Sequence, residues 1–308
     1  MQISDFTLNW LLEGDVAIQY QVHRDLLDVD RPDLQARIAS EGWGARFLAA
    51  RNPDGHWGRG FYQPKWTSTH YTLLDLRHLC LPSGHPQVLE TIDLILAQSK
   101  DAQGSINPHR TPGAPSDVCI SGMFLTYACY FGVDAEPLHS IIDYLLPQQM
   151  PDGGFNCQRE YGSPVHSSLH STISVLEGIH EYRANGYTYR QAELENIAAQ
   201  SRAFILQHQL FRSHRTGEVI DPKMLMLSFP SRWRYDILRA LDHFQSSQVP
   251  YDPRLQPALD VLIKKQRADG RWPVQAKHPG QTHFDMERTG QPSRWNTLRA
   301  LRVLRFYS

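Results

Sequence analysis

Hydrophobic positions recur along this chain with helical rather than strand spacing, and they do so in two distinct ways. In 189–209, Leu194, Ile197, Ala198 and Ile205 share one face while Arg190, Glu193 and Gln200 lie elsewhere. That pattern predicts an amphipathic helix with a single buried stripe. In 116–131 almost every position is apolar, from Val118 through Met123 and Phe124 to Phe131, so that helix has to be buried on both sides. The two kinds alternate. Two-sided candidates are 14–28, 66–80, 116–131, 166–184, 231–245 and 293–306; one-sided candidates are 6–12, 31–50, 86–99, 137–149, 188–209 and 254–267. Glycine and proline fall between these runs and strand signals are sparse. The expectation is an all-α protein with about six inner and six outer helices. Asp15 stands where it would cap the first inner helix, whose Ile18, Val22 and Leu26 are core positions.

A repeat underlies the alternation. Arg51-Asn-Pro-Asp-Gly55-His-Trp57, Gln149-Met-Pro-Asp-Gly153-Gly-Phe155 and Gln266-Arg-Ala-Asp-Gly270-Arg-Trp272 each end a helical run with a glycine turn and an aromatic, and Lys100-Asp-Ala-Gln-Gly104-Ser-Ile106 is a degenerate copy. Gly55, Gly104 and Gly153 recur at equal steps of 49 residues; the longer gap to Gly270 holds two units with a disguised turn near Thr216-Gly217. A second repeat agrees: Pro230-Ser-Arg-Trp233 precedes Leu238-Arg-Ala-Leu241, and Pro292-Ser-Arg-Trp295 precedes Leu298-Arg-Ala-Leu301.

The Gln266…Gly270…Trp272 and Gln149…Gly153…Phe155 turns resemble the QW motifs of squalene and hopene cyclases, and Pro151-Asp-Gly-Gly-Phe155 resembles turns of protein prenyltransferase β subunits. The likeness runs from about Ala45 to the C-terminus. It implies an α/α toroid of the terpenoid cyclase and prenyltransferase type, one domain over 1–308, with helices of 1–45 completing the ring and 46–308 supplying helical hairpins. In such turns the glutamine bonds turn backbone and the aromatic packs beneath it. An open TPR or HEAT superhelix fits a 49-residue step less well. The sequence contains no Asp-Asp pair, so the acid motif of class II cyclases and the metal motif of class I terpene synthases are both missing, and squalene-type cyclisation is not expected.

Composition narrows the classes further. A net charge of −1 gives no field that would recruit nucleic acid or an anionic membrane. The longest apolar stretch, around 123–133, is short of the ~20 residues that span a bilayer. Met1-Gln2-Ile3-Ser4-Asp5 does not open a secretory signal, and the four cysteines form no CxxC pair, so a cytoplasmic, reduced protein is expected. There is no P-loop, no GxSxG elbow and no HExxH; His180-Glu181 has Ala184 where a second histidine would stand.

Candidate chemistry gathers at the expected N-terminal ends of inner helices, which in a toroid ring one mouth of the central cavity. Asp117-Val-Cys119 and His166-Ser-Ser-Leu-His170 open two successive ones. Through its Asp-x-Cys the resemblance implies a zinc site of Asp117, Cys119, His166 and His170, a set that would leave a coordination position for substrate; the same residues also suit buried polar packing. Asp117 and Asp236 are the candidate catalytic acids. Asp236, one turn after Trp233 in Arg232-Trp-Arg-Tyr-Asp236, would protonate a substrate if burial raised its pKa, or would pair with Arg232 or Arg239. Trp66, His70, His109, Arg110, Trp233, Tyr235, Trp295 and Asn296 are candidate substrate or cavity residues, with His109 and Arg110 suited to a diphosphate or simply to a solvated loop. Arg299, Arg302 and Arg305 read as a solvated helix face. The functional expectation is a protein that binds or transforms a hydrophobic, isoprenoid-type small molecule. A carbohydrate-active toroid enzyme, with tryptophans stacking on sugars, and a non-catalytic scaffold are the alternatives. Nothing in the sequence identifies a protein partner.

Overall fold

The computed structural model describes residues 3–108, 116–157 and 164–308. Among these residues it contains thirteen α-helices, a few short 3-10 turns and only isolated β-bridges. The chain divides into two compact units, one of Met1–Ala50, His78–Pro82 and Leu206–Ser308, the other of Arg51–Arg77 and Ser83–Ile205.

The second unit is built from α5 (Thr69–His78), α6 (Pro86–Ser99), α7 (Val118–Phe131), α8 (Glu136–Leu145), α9 (Leu169–Ala184) and α10 (Gln191–Gln207). The expected alternation is present. In α7 nearly every side chain is buried, and α9 is similar. By contrast, α6 and α8 bury single stripes, Val88, Ile92 and Ile95 in one and Leu138, Ile141, Ile142 and Leu145 in the other. Prolines at the first positions start α6 and α8, and Gly132, at φ +83°, ends α7. Helices α7 and α9 pack backbone to backbone: a Cβ on Gly122 would lie 2.7 Å from the Ser174 carbonyl, and one on Gly178 would lie 2.4 Å from the Gly122 carbonyl.

The repeated turns behave as their residues predict. Gly55, Gly104 and Gly153 all take positive φ, and the residue two places on gives its N–H to a hydroxyl on the following helix. Trp57 bonds Thr69 (3.0 Å), Ile106 bonds Ser121 (3.2 Å) and Phe155 bonds Thr172 (2.9 Å). Gln149 Nε2 donates to the Gly153 carbonyl at 2.8 Å, and Arg51 Nε does the same for Gly55 at 3.2 Å. Trp57 and Phe155 are fully buried beneath.

The first unit holds α1 (Asp5–Leu12), α2 (Val16–Leu26), α3 (Pro32–Arg37), α4 (Gly42–Ala49), α11 (Ile237–Ser246), α12 (Gln256–Lys264) and α13 (Arg294–Tyr307). Its copy of the turn is the same: Gln266 Nε2 bonds the Gly270 carbonyl, Trp272 N–H bonds Thr297, and Trp272 is fully buried. The helix expected over 31–50 is two, because the chain turns after α3 and Gly42 takes φ +59°. That turn has a purpose. Asp15 caps α2 through Ala17 N–H and also accepts Trp43 N–H at 2.8 Å, where any Cβ on Gly42 would collide with it. The chain's two ends meet here, with Arg294 Nε donating to the Trp10 carbonyl and α2 packed on α13. Arg299 and Arg302 are not a solvated face. Arg299 is buried and Arg302 half-buried against Asp242 of α11, and Arg302 also reaches Asp25 of α2; of the three only Arg305 is exposed.

Candidate functional site

In the first unit the inner helix expected at 231 starts only at Ile237, because Asp236 is its N-cap. Residues 229–235 are therefore a loop, with Arg232 at φ +59°. Arg239 of α11 fixes that loop from below: its Nη1 donates to the carbonyls of Arg232 (3.2 Å) and Arg234 (2.9 Å). The loop carries aromatic and cationic groups together. Phe229 stacks on Trp295 (centroids 4.8 Å, 21° apart), and Trp295 stacks in turn with Trp43 of α4 at 6.1 Å. The Arg234 guanidinium lies 4.6 Å from the Trp233 ring centroid, and its Nε is buried without a partner. Phe229, Trp43 and Trp233 are partly exposed. His278 joins this group. Burial, then Arg234, Arg232 and Arg239, lower its pKa to about 4, so the imidazole is neutral amid positive charge.

The other first-unit candidates are anchored in structure. Asp236 accepts the Arg239 and Ser228 backbone N–H groups, and burial raises its pKa against the pull of Arg299 and Arg239. It is thus the N-cap of α11. Tyr235 is buried, with its hydroxyl donating to the Leu210 carbonyl at 2.7 Å. Asn296 Nδ2 ties together the Leu227 and Pro273 carbonyls, while Asn296 Oδ1 and Trp295 Nε1 are buried and unpartnered.

Glu287, which the sequence did not single out, accepts hydrogen bonds from Ser293 Oγ and from the Arg294 and Trp295 N–H groups at the start of α13. Burial nevertheless raises its pKa to about 7. An acid whose folded pKa lies above its unfolded value holds its proton more tightly when folded. Its contribution is full below the ordinary carboxyl pKa of 4.5 and is lost as pH rises through about 7. Glu287→Gln is therefore expected to flatten the decline of stability between those limits, an effect of about 3 kcal/mol, read from urea midpoints at a series of pH values. A decline of equal size in the variant would assign the pH dependence elsewhere.

In the second unit, Trp66 is buried edge-on to Tyr71. His70 is fully buried among the rings of Phe61, Tyr62, Tyr71 and Tyr127, with Nδ1 3.2 Å from the Tyr127 hydroxyl, and burial pushes its pKa down to about 3. It is a neutral, packed histidine. Asp117 is the N-cap residue of α7 and makes no side-chain cap bond. Cys119, in the first turn of α7, meets not a histidine but Cys157, Sγ to Sγ at 3.0 Å. His166 is exposed and accepts Asn156 Nδ2 at its carbonyl, and His170 is partly exposed in α9. Among the described residues no three His, Cys, Asp or Glu side chains gather to hold a metal ion. His109 and Arg110 lie outside the described residues.

No family model and no curated protein matches the sequence. Solved structures do. A polysaccharide lyase has a TM-score of 0.52 at 13% identity, covering 97% of this chain and 86% of its own. A glycosyl hydrolase of family 88 from Bacteroides vulgatus has 0.53 at 12%, covering 94% and 90%. The type II terpene cyclase MstE from Scytonema, at 0.36 and 15% over 88% of this chain and 96% of its own, adds no weight. The fold is an α/α toroid. At these identities the likeness extends no further than fold. Among the described residues no helix is long and apolar enough to cross a membrane.

Proposed function

We propose that this toroid binds a small molecule with an apolar, isoprenoid-type body and an anionic group, held in the first unit by the 229–236 loop. The observation that carries the reading is the pairing within that loop. Phe229 belongs to an aromatic shelf with Trp295 and Trp43, and a few residues on, Arg232 and Arg234 bring guanidiniums beside Trp233 and the neutral His278. The shelf would take apolar surface. A guanidinium whose Nε is buried and unpartnered would gain from an anion. Because Asp236 is occupied as a helix cap, the proposal is one of binding and orientation and assigns no proton transfer to that residue.

An acidic oligosaccharide is the second reading. Indole and phenyl faces beside guanidiniums also suit a sugar ring bearing a carboxylate, and a polysaccharide lyase and a glycosyl hydrolase share this fold.

Quenching of intrinsic tryptophan fluorescence tests both. Farnesyl diphosphate is expected to bind the wild type saturably, and Arg234→Ala to bind at least about tenfold more weakly, the scale of one charge-assisted bond, with unchanged circular dichroism. Saturable binding of an acidic oligosaccharide alone would favour the second reading. Equal affinity in wild type and Arg234→Ala would remove the loop from the site.

A further inference from the structure

Cys119 and Cys157 come from successive repeats of the second unit, 38 residues apart in the chain, yet their sulfurs are 3.0 Å apart. Cys119 sits in the first turn of α7, and Cys157 lies two residues after the buried turn aromatic Phe155. The pair is held in place. Cys157 N–H donates to Ser171 Oγ at 3.3 Å, and that hydroxyl lies 3.4 Å from the Cys157 sulfur. Both cysteines are partly exposed, whereas Cys80 and Cys129 are buried. Two thiols held in contact, without a third ligand among the described residues, suit formation of a bond between them better than a metal.

We infer that Cys119 and Cys157 are a reversible dithiol–disulfide pair that reacts with small-molecule disulfides and locks two successive repeats together. The two sulfurs are unequal. The Ser171 hydroxyl, 3.4 Å from the Cys157 sulfur, is placed to donate to a thiolate there. Cys157 is accordingly the attacking sulfur. Its thiolate attacks one sulfur of the small disulfide, expelling a thiolate that takes up a proton and leaving a mixed disulfide on Cys157. Cys119 then loses its proton to solvent and attacks Cys157 Sγ, expelling the second small thiolate, which is protonated in turn. Two protein thiols are oxidised to one disulfide while one small disulfide is reduced to two thiols. Closing the bond requires the sulfurs to approach from 3.0 Å to a covalent separation of about 2.05 Å.

The test is intact-mass analysis and peptide mapping of the full chain after incubation with oxidised glutathione. Expected in the wild type is the loss of two hydrogen atoms and a crosslinked Cys119–Cys157 peptide, reversed by dithiothreitol. Cys119→Ser, with wild-type circular dichroism, is expected to stop at one glutathione adduct on Cys157; if it does not fold, the wild-type crosslink decides alone. A wild type that stays reduced, or that collects glutathione adducts without the crosslink, would overturn the inference. So would one metal ion per chain, released when the two cysteines are alkylated.

Discussion

Replacing Asp242 with asparagine is expected to cost about 3–5 kcal/mol of stability, the typical loss on removing one partner from a buried ion pair. Asp242 lies on α11 and receives Arg299 Nε at 2.9 Å together with the Nε and Nη2 of Arg302 at 2.7 and 2.8 Å. Arg302 Nη1 continues to Asp25 of α2 at 2.7 Å, and Arg24 completes the chain on the other side of that carboxylate. One carboxylate thus faces two guanidiniums where three helices of the first unit meet. Asparagine keeps the shape but leaves Arg299 without its counter-charge and Arg302 with Asp25 alone. Burial alone would raise the Asp242 pKa, yet Arg302 and Arg299 outweigh it and hold the carboxyl well below the usual range. The stabilisation is therefore present above the ordinary carboxylate pKa, about 4, and is lost as pH falls below it. Guanidinium denaturation should show the full difference between wild type and variant at pH 7 and a smaller one near pH 3. No difference at pH 7 would mean the network stabilises nothing beyond its desolvation cost.

The second large effect belongs to the α7–α9 crossing. Gly178→Val is expected to lose 3 kcal/mol or more, beyond the usual ~1–3 kcal/mol of overpacking, because the group in the way is backbone. The Gly122 carbonyl oxygen stands 2.4 Å from the position of the new Cβ, with Leu125 Cβ at 3.1 Å. Neither helix can yield without parting from the other. Gly178→Ala should fall between wild type and valine. A valine variant as stable as wild type would show that the helices separate at little cost.

These two sites mark what the sequence could and could not reveal. The alternation of helices was legible because each one-sided stripe and each two-sided run states its own burial, and the glycine turns carry their hydrogen-bonding residues within a few positions. The 31–50 segment misled because Asp15, distant in sequence, holds the break at Gly42. The C-terminal arginines misled for the same reason: spacing on a helix cannot show that Asp242, 57 residues before Arg299, waits opposite them. At the candidate sites the sequence placed Trp295 and Asn296 correctly at a helix start, put Trp233 in a helix where the chain forms a loop, and gave no signal for Trp43, Phe229, His278 or Glu287. The last two lie in the non-periodic 273–293 stretch, where no repeat fixes a register. Cys157 was silent too. It follows a turn copy, whereas its partner opens a helix, so the two occupy unrelated positions in the repeat.

The central claim is that the 229–236 loop and its aromatic shelf hold the ligand, and its most direct test is photoaffinity labelling with a diazirine-bearing prenyl diphosphate, mapped by peptide mass spectrometry. Label on Phe229, Trp233, Trp43 or Trp295, displaced by unlabelled farnesyl diphosphate, is the predicted result. Displaceable label confined to peptides of 61–71 and 117–127 would contradict it and move the ligand to the second unit.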